Sequence, residues 1–533
     1  MTPSFNLWTD PWITVEQPDG VLDDVSLEQA LVQAHTLRAI HDASPLVIVG
    51  IHRLLTAVLQ DIFDPHNEED LDALWDAGQF LEADIRAFGE QYAHRFDLFS
   101  KDAPFLQSAD IPLEPEKKTW DIALLFMELP TGTFVTHYQH GLAEDHFFCS
   151  TCVARGLLTI PAFATSGGAG IKPSINGVPP IYVLPGGDTL FEKLWAALIL
   201  PEFQPQAAST TVDNVWWRRD SIVGYKDEVT EVSYLHSLTF PARRVRLHPA
   251  PMRTPCTRCG AQTAWGARTM VYQMGESRPK DAPFWHDPFA AYRVRGKKDP
   301  TPIRPWEDKA LWREFAALFL PMTPEDEAKE HTLMPSALYQ RGELAVEDIG
   351  PDYEIFPVRC VGLRTDMKAK IFEWLDASFD VPTALLHDPL GSDEVRRGLD
   401  VTTDCARLMA GIFRGAFSRE GAEHHTDVKK RMLAAYWVAL AAPFREFVLG
   451  VAVPETRQAA FTAWVEQVTE QGKATFKEAA ESIGDSALAL RQRVEGIAKC
   501  SAALNARRKK SLGEKEQNDT METLPLFQTK EAQ

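Results

Sequence analysis

The sequence predicts an α+β protein of at least two parts. A large mixed domain of short sheets and helices covers residues 1–380, an antiparallel four-helix bundle covers 381–512, and a disordered tail covers 513–533. Three observations carry this expectation. The chain has 533 residues, 45% of them hydrophobic, which exceeds what one hydrophobic core organises. Up to Pro382, short β-like runs bounded by proline and glycine alternate with stretches of helical periodicity. Beyond Pro382, amphipathic stretches at 392–417, 426–448, 455–482 and 485–508 are joined by short turns, the pattern of antiparallel helices.

Taken in order, Phe5 to Val15 form a short strand-like run, and Pro18-Asp19-Gly20 is a hairpin turn. Ser26 starts a helix as its cap, with Gln29 three residues on to complete a capping box. Ser44-Pro45 starts another, in which Val47, Ile51, Leu54, Leu55 and Val58 recur at helical spacing. One helix is expected over 69–92. The stretch 129–146 is polar, aromatic and histidine-bearing without periodicity, a long loop of the kind that is either functional or disordered. A strand ended by a turn is expected over 179–187 and another strand at 358–363, with a helix at 190–198 between them.

A formal charge of −20 sets solubility and steering rather than function, since local basic clusters still act where they occur. No apolar run approaches the roughly 20 residues that span a bilayer, so a soluble protein is expected. The N-terminus has no basic segment followed by an apolar core, so no signal peptide and a cytoplasmic protein are expected. Of seven cysteines, four sit in Cys149-Ser150-Thr151-Cys152 and Cys256-Thr257-Arg258-Cys259, and in a reducing compartment that pattern reads as metal ligation.

Four thiolates satisfy the tetrahedral, sulfur-rich coordination that Zn(2+) prefers, and a closed four-cysteine shell leaves no position for catalytic water. The expected zinc is therefore structural. Two C-x-x-C pairs a hundred residues apart are an unusual spacing, and unrelated buried cysteines are the alternative. A glycine loop follows the first pair: Thr165-Ser166-Gly167-Gly168-Ala169-Gly170-Ile171-Lys172-Pro173. It fails as a Walker A loop because Ile171 precedes and Pro173 follows Lys172, and as a dinucleotide fingerprint because Pro173 stands where the third glycine belongs. What it offers is close backbone approach to a ligand. Trp216-Trp217-Arg218-Arg219, Arg243-Arg244-Val245-Arg246 and 293–298 suggest the basic surface of an acidic protein, able to contact phosphates and stack on bases. No serine elbow, H-E-x-x-H helix or convincing carboxylate pair appears, so nothing demands an enzyme.

Phe5-Asn6-Leu7-Trp8-Thr9-Asp10-Pro11-Trp12-Ile13, Val25-Ser26-Leu27-Glu28-Gln29-Ala30-Leu31, Pro104-Phe105-Leu106-Gln107, Glu128-Leu129-Pro130-Thr131-Gly132 and the helical C-terminus together resemble the CasA family, the large subunit of the type I-E CRISPR surveillance complex Cascade. The resemblance runs in order from residue 5 to about 508. It implies a non-catalytic DNA-recognition subunit of an RNA-guided effector, with base pairing to the guide reading the target and protein reading a short adjacent motif. It further implies minor-groove readout by a glycine loop, a basic finger and a wedge hairpin, and degenerate readout would tolerate several motifs. By position, Gly167, Gly168 and Gly170 match the loop, and Arg268 or Lys280 the finger. The wedge falls in the window 336–342, with Gln340 foremost. Phe134, Tyr138 and His140 match a loop near the guide RNA. Arg414, Lys429, Lys430, Arg431, Arg507 and Arg508 would hold the displaced strand on the bundle.

The implied partners are double-stranded target DNA, guide RNA with the other Cascade subunits, and a helicase-nuclease recruited on target binding, with no membrane. Two other readings stay open at this point: a zinc-stabilised enzyme or binding protein acting on a nucleotide or acidic metabolite at the glycine loop, and an assembly scaffold.

Overall fold

The computed structural model describes residues 3–113, 119–127, 129, 146–166, 170–296, 299–307, 309–321, 330–365, 371–417, 422–484 and 486–514. The chain divides into two compact units, Met1–Ser392 and Asp393–Gln533. Helices and small sheets are mixed in the first; the second is helical.

In the first unit, Ile13–Glu16 pairs antiparallel with Leu22–Val25 across the Pro18-Asp19-Gly20 turn, where Gly20 takes φ +86°. The capping box forms as the spacing requires. The Ser26 hydroxyl accepts from the Gln29 N–H at 3.2 Å, and the Gln29 side chain accepts from the Ser26 N–H at 2.9 Å. The single helix expected over 69–92 is two, Glu68–Asp76 and Glu82–Tyr92. Gly78 separates them in the left-handed region, φ +65°, its N–H closing on the Trp75 carbonyl at 2.9 Å, a common way for a helix to stop.

Around the helix Pro45–Phe63 the core of this unit is built, and Pro45 through Gln60 are all buried. By length and composition it could cross a membrane, contrary to the expectation from the sequence. Here its apolar surface is covered by protein instead. Gly50 lets it approach the chain at Leu158, where a β-carbon would lie 2.5 Å from the Leu158 carbonyl oxygen. Arg53 is buried on the same helix and pairs with buried Asp287 at 2.9 Å.

The strand Trp265–Met274 organises the sheet that matters for function. Along one edge it pairs with Arg243–Pro251, and along the other with Phe148–Cys149 and Trp120–Asp121, all antiparallel. A second sheet places Ile355–Thr365 between Tyr182–Pro185 and Ile371–Pro382, so that the last two strands form a long hairpin with an outer edge.

In the second unit the helices are the continuation of Pro389–Ala416, then Ala422–Ala439, Ala441–Ala452, Arg457–Glu481 and Ala487–Leu512. The expected helix over 426–448 is two segments bent by 41°. Pro443 explains the break, because it has no N–H to give the Ala439 carbonyl and its ring would crowd that turn. Trp464 stacks on Phe447 at 5.1 Å and donates its indole N–H to the Gly398 carbonyl at 3.1 Å. The Tyr436 hydroxyl donates to the Thr402 carbonyl at 3.1 Å, so the helices of this unit are pinned by buried polar contacts as well as packing. Gly513 ends the last helix at φ +69°.

Candidate metal centre and nucleic-acid interface

Cys149 ends the strand Phe148–Cys149 and caps the helix Ser150–Leu157, which places Cys152 in the first turn of that helix. Pairing with Ala267 and Gly266 fixes the strand, and Gly266 is required there because a β-carbon would lie 2.2 Å from the Phe148 carbonyl oxygen. The second knuckle is a tight turn: Cys256 N–H reaches the Ala261 carbonyl and Gly260 N–H the Cys256 carbonyl, both at 2.8 Å, with Gly260 at φ +75°. Thr257 N–H donates to the Phe147 carbonyl at 2.9 Å, tying the turn to the strand that carries Cys149.

The four sulfurs lie within 4.8 Å of one another, and those of Cys149 and Cys259 are 3.6 Å apart. A tetrahedral Zn–S4 site with bonds of about 2.3 Å sets sulfurs about 3.8 Å apart, so this donor set fits a tetrahedral metal. The thiols also show why a cation is wanted. Neighbouring sulfurs and burial push the Cys152 thiol up, whereas hydrogen bonds from Cys149 and Cys152 pull the Cys256 thiol down. With all four ionised, sulfurs at this spacing would repel one another, and a cation among them would relieve that repulsion.

A buried carboxylate, unforeseen from the sequence, holds the two knuckles together from behind. Arg258, inside the second knuckle, donates to Asp42 at 2.6 Å, and Arg155, on the helix of the first, donates to Asp42 at 3.2 Å. The Asp42 side chain is 1% exposed. Arg155 also bonds the Trp12 carbonyl at 2.9 Å and the Thr14 hydroxyl at 2.7 Å, anchoring the centre to the N-terminal sheet. Arg258 lies 3.8 Å from the Cys152 sulfur and so supplies positive charge beside the thiolates.

Gly167 and Gly168 lie outside the described residues; Gly170 does not, and at φ +80° it takes a backbone that favours glycine. Arg243 grips both arms of the loop. Its guanidinium donates to the Lys172 carbonyl at 2.9 Å and to the Thr165 carbonyl. Ser174 N–H closes on the Ala164 carbonyl at 2.9 Å, and Lys172 N–H rests on the Met274 sulfur at 3.2 Å. One strand, Trp265–Met274, thus supports the first knuckle at one end and the loop's base at the other.

Two of the three basic-aromatic clusters are not the surface the sequence suggested; in the third, Arg293 pairs with Glu314 at 3.3 Å, Arg295 is exposed, and Lys297 and Lys298 lie outside the described residues. Arg243 and Arg246 are buried, Arg244 pairs with Asp110, and Trp216 and Trp217 are core residues. Arg218 pairs with Asp61 and Asp213, and Arg219 with Glu276. Each arginine of those two clusters is spent on a carboxylate or a carbonyl within the fold, which is concealed when arginine is taken as an outward residue.

Of the finger candidates, Arg268 is half-buried with its guanidinium 4.3 Å over the Phe147 ring, and Lys280 is exposed in the loop after Glu276–Ser277. Gln340 is corrected as a wedge. The window 336–342 lies in the helix Ser336–Val346, where Gln340 is 2% exposed and both ends of its amide are engaged, with the Leu198 carbonyl at 2.7 Å and the Leu200 N–H at 2.8 Å. Phe134, Tyr138 and His140 lie outside the described residues. In the helical unit Arg414, Lys430 and Arg431 are exposed and Lys429 half-buried, while Arg507 pairs with Asp404 at 3.1 Å and Arg508 with Glu514 at 3.1 Å.

The fold is shared with solved structures. Thermobifida fusca Cse1 superposes with a TM-score of 0.76 at 22% identity, covering 96% of this chain and 99% of that one. Thermus thermophilus CasA (Cse1) gives 0.73 at 24%, covering 96% and 99%. A chain of a CRISPR RNA-guided surveillance complex gives 0.71 at 16%, covering 94% and 100%. In sequence, the CRISPR-associated protein CasA/Cse1 of Thermus thermophilus is 30% identical over 408 residues, 75% of each chain. The family model for CRISPR-associated protein Cse1 matches residues 6–474. With that span matched and the knuckle-and-loop sheet built as described, the chain belongs to the CRISPR-associated protein Cse1 family.

Proposed function

We propose that this chain is the non-catalytic DNA-recognition subunit of a guide-RNA-loaded CRISPR effector, acting in the cytoplasm with the other Cascade subunits. It reads the motif beside the target from the minor groove, helps open the duplex, and leaves cleavage to a recruited helicase-nuclease. One observation supports this beyond family membership: buried Arg243 holds the two ends of the glycine stretch, at Thr165 and Lys172, so its base is preorganised. The wedge is assigned to the hairpin of Ile355–Thr365 and Ile371–Pro382, because parting a duplex needs a projecting element and 336–342 is a helix packed into the core. Exposed Phe372 and Trp374 on its outer strand suit contact with unstacked bases.

The four cysteines hold structural zinc in this reading, and the other three, Cys360, Cys405 and Cys500, are unpaired thiols that suit a reducing compartment. Residues 1–380 carry recognition. Residues 381–512 act as a four-helix bundle whose second member is the bent pair, and Lys429, Lys430, Arg431, Arg507 and Arg508 face the displaced strand.

The test is duplex binding by guide-loaded partner subunits with and without this chain. Adding the chain is expected to tighten motif-containing duplex over scrambled duplex, with affinity falling steeply with salt. Gly170→Val is expected to remove that preference while leaving the melting temperature of the chain within a few degrees. Equal binding of both duplexes, or a flat salt response, counts against the reading.

A further inference from the structure

Between the loop's base and the strand leading to Lys280 lies a segment to which the sequence assigned nothing: Ile222-Val223-Gly224-Tyr225-Lys226-Asp227-Glu228. Toward the loop, Glu228 pairs with Lys172, just beyond Gly170. Toward the finger, Asp227 and Glu228 run parallel to Glu276 and Ser277, three residues before Lys280. The turn between is tight. A β-carbon on Gly224 would stand 2.5 Å from the Asp227 side chain, and Lys226 N–H donates to the Met274 carbonyl at 3.2 Å.

Lys226 itself sits at φ +54°, a region that costs a lysine about 1 kcal/mol or more. Its side chain lies beside Gly170: the ammonium nitrogen is 3.2 Å from the point where a Gly170 β-carbon would stand, and 5.4 Å from the ring of exposed Tyr225. The neighbouring cations are compensated, Lys172 by Glu228, Arg219 by Glu276 and Arg244 by Asp110. No ion pair holds Lys226 among the described residues. An exposed, uncompensated ammonium has thus been set beside the backbone where a ligand must come close.

Building on the reading of Gly170 as a DNA-facing residue, we infer that Lys226 is a further contact of the motif-reading surface, binding a phosphate of the target duplex, with Tyr225 shielding that ion pair from water. Lysine serves phosphate as a mobile point charge, suited to backbone positioning rather than base discrimination.

The experiment uses the guide-loaded complex reconstituted with the full chain carrying Lys226→Ala, Lys226→Glu or Lys226→Arg, titrated with motif-containing and scrambled duplexes at several salt concentrations. Lys226→Ala is expected to weaken both duplexes alike, on the order of 3- to 10-fold, and to make the salt slope shallower by about one. Lys226→Glu should weaken binding further and Lys226→Arg should restore it. If Lys226→Ala and Lys226→Glu bind like the parent while Gly170→Val abolishes the motif preference, the loop reading stands and the Lys226 assignment falls. Unchanged binding in all variants would overturn both. Guide RNA retained without target is expected to be unaffected by Lys226→Glu; its loss would move the phosphate from DNA to guide and overturn the assignment.

Discussion

Asp42 illustrates how much one side chain can hold. It receives Arg155 and Arg258 from two segments about a hundred residues apart, and all three are largely withdrawn from water. Removing one partner of a buried ion pair costs about 3–5 kcal/mol, because the remaining charge stays buried and unpaired. Asp42→Ala is therefore expected to lower the calorimetric melting temperature of the first unit by several degrees. Asp42→Asn should cost less, since its amide oxygen still accepts a hydrogen bond. Gln340 makes the opposite point. A glutamine in a helix of modest amphipathicity looks available for contact, yet here both amide ends satisfy backbone groups at Leu198 and Leu200. Replacing it would leave a buried carbonyl and a buried N–H unsatisfied.

Elements were legible in the sequence where their causes are local. The capping box at Ser26 and Gln29, the turn at Gly20 and the proline start at Pro45 all follow from neighbours within a few residues. The cysteine pairs were legible because metal chemistry fixes their spacing. What escaped was set by distant contacts: Arg243 on the loop's arms, Asp42 behind the knuckles, and Lys226 brought to Gly170 by a turn some fifty residues on. The short strand Glu276–Ser277 under that turn has its own pH signature. Burial pushes the Glu276 carboxyl up, but His236 and Arg219 together outweigh it and hold the group below its usual range, while burial holds the His236 imidazole below 6.5. Both signs agree: the unfolded chain takes up protons on acidification that the folded chain resists. Stability is expected to be full near pH 7 and to fall as pH drops below about 6.5, further below 4.5, as read by thermal melting across that range. Glu276→Gln should flatten the lower part of that curve.

At the scale of the whole molecule, the proposed metal belongs to one unit only. All four cysteines precede residue 392, so removing the ion should act on the first unit and spare the helical one. Structural zinc supplies on the order of 10 kcal/mol to folding in small domains. One zinc per chain is expected by elemental analysis of protein purified without chelator, and its absence there would refute the assignment. Chelation, or Cys256→Ser, is expected to shift the calorimetric transition of the first unit and leave that of 393–533 in place.

The double grip on Asp42 bears on how such an ion would be acquired. Two half-sites separated by a hundred residues of chain would otherwise have to find each other by diffusion, at an entropic cost that grows with the logarithm of the loop. With both arginines already fastened to one carboxylate, the second pair of sulfurs is presented to the first at a high effective concentration. Capture of the proposed metal would then be a simple bimolecular encounter with a preassembled chelator, and an ion lost from the finished protein would be replaced without refolding it.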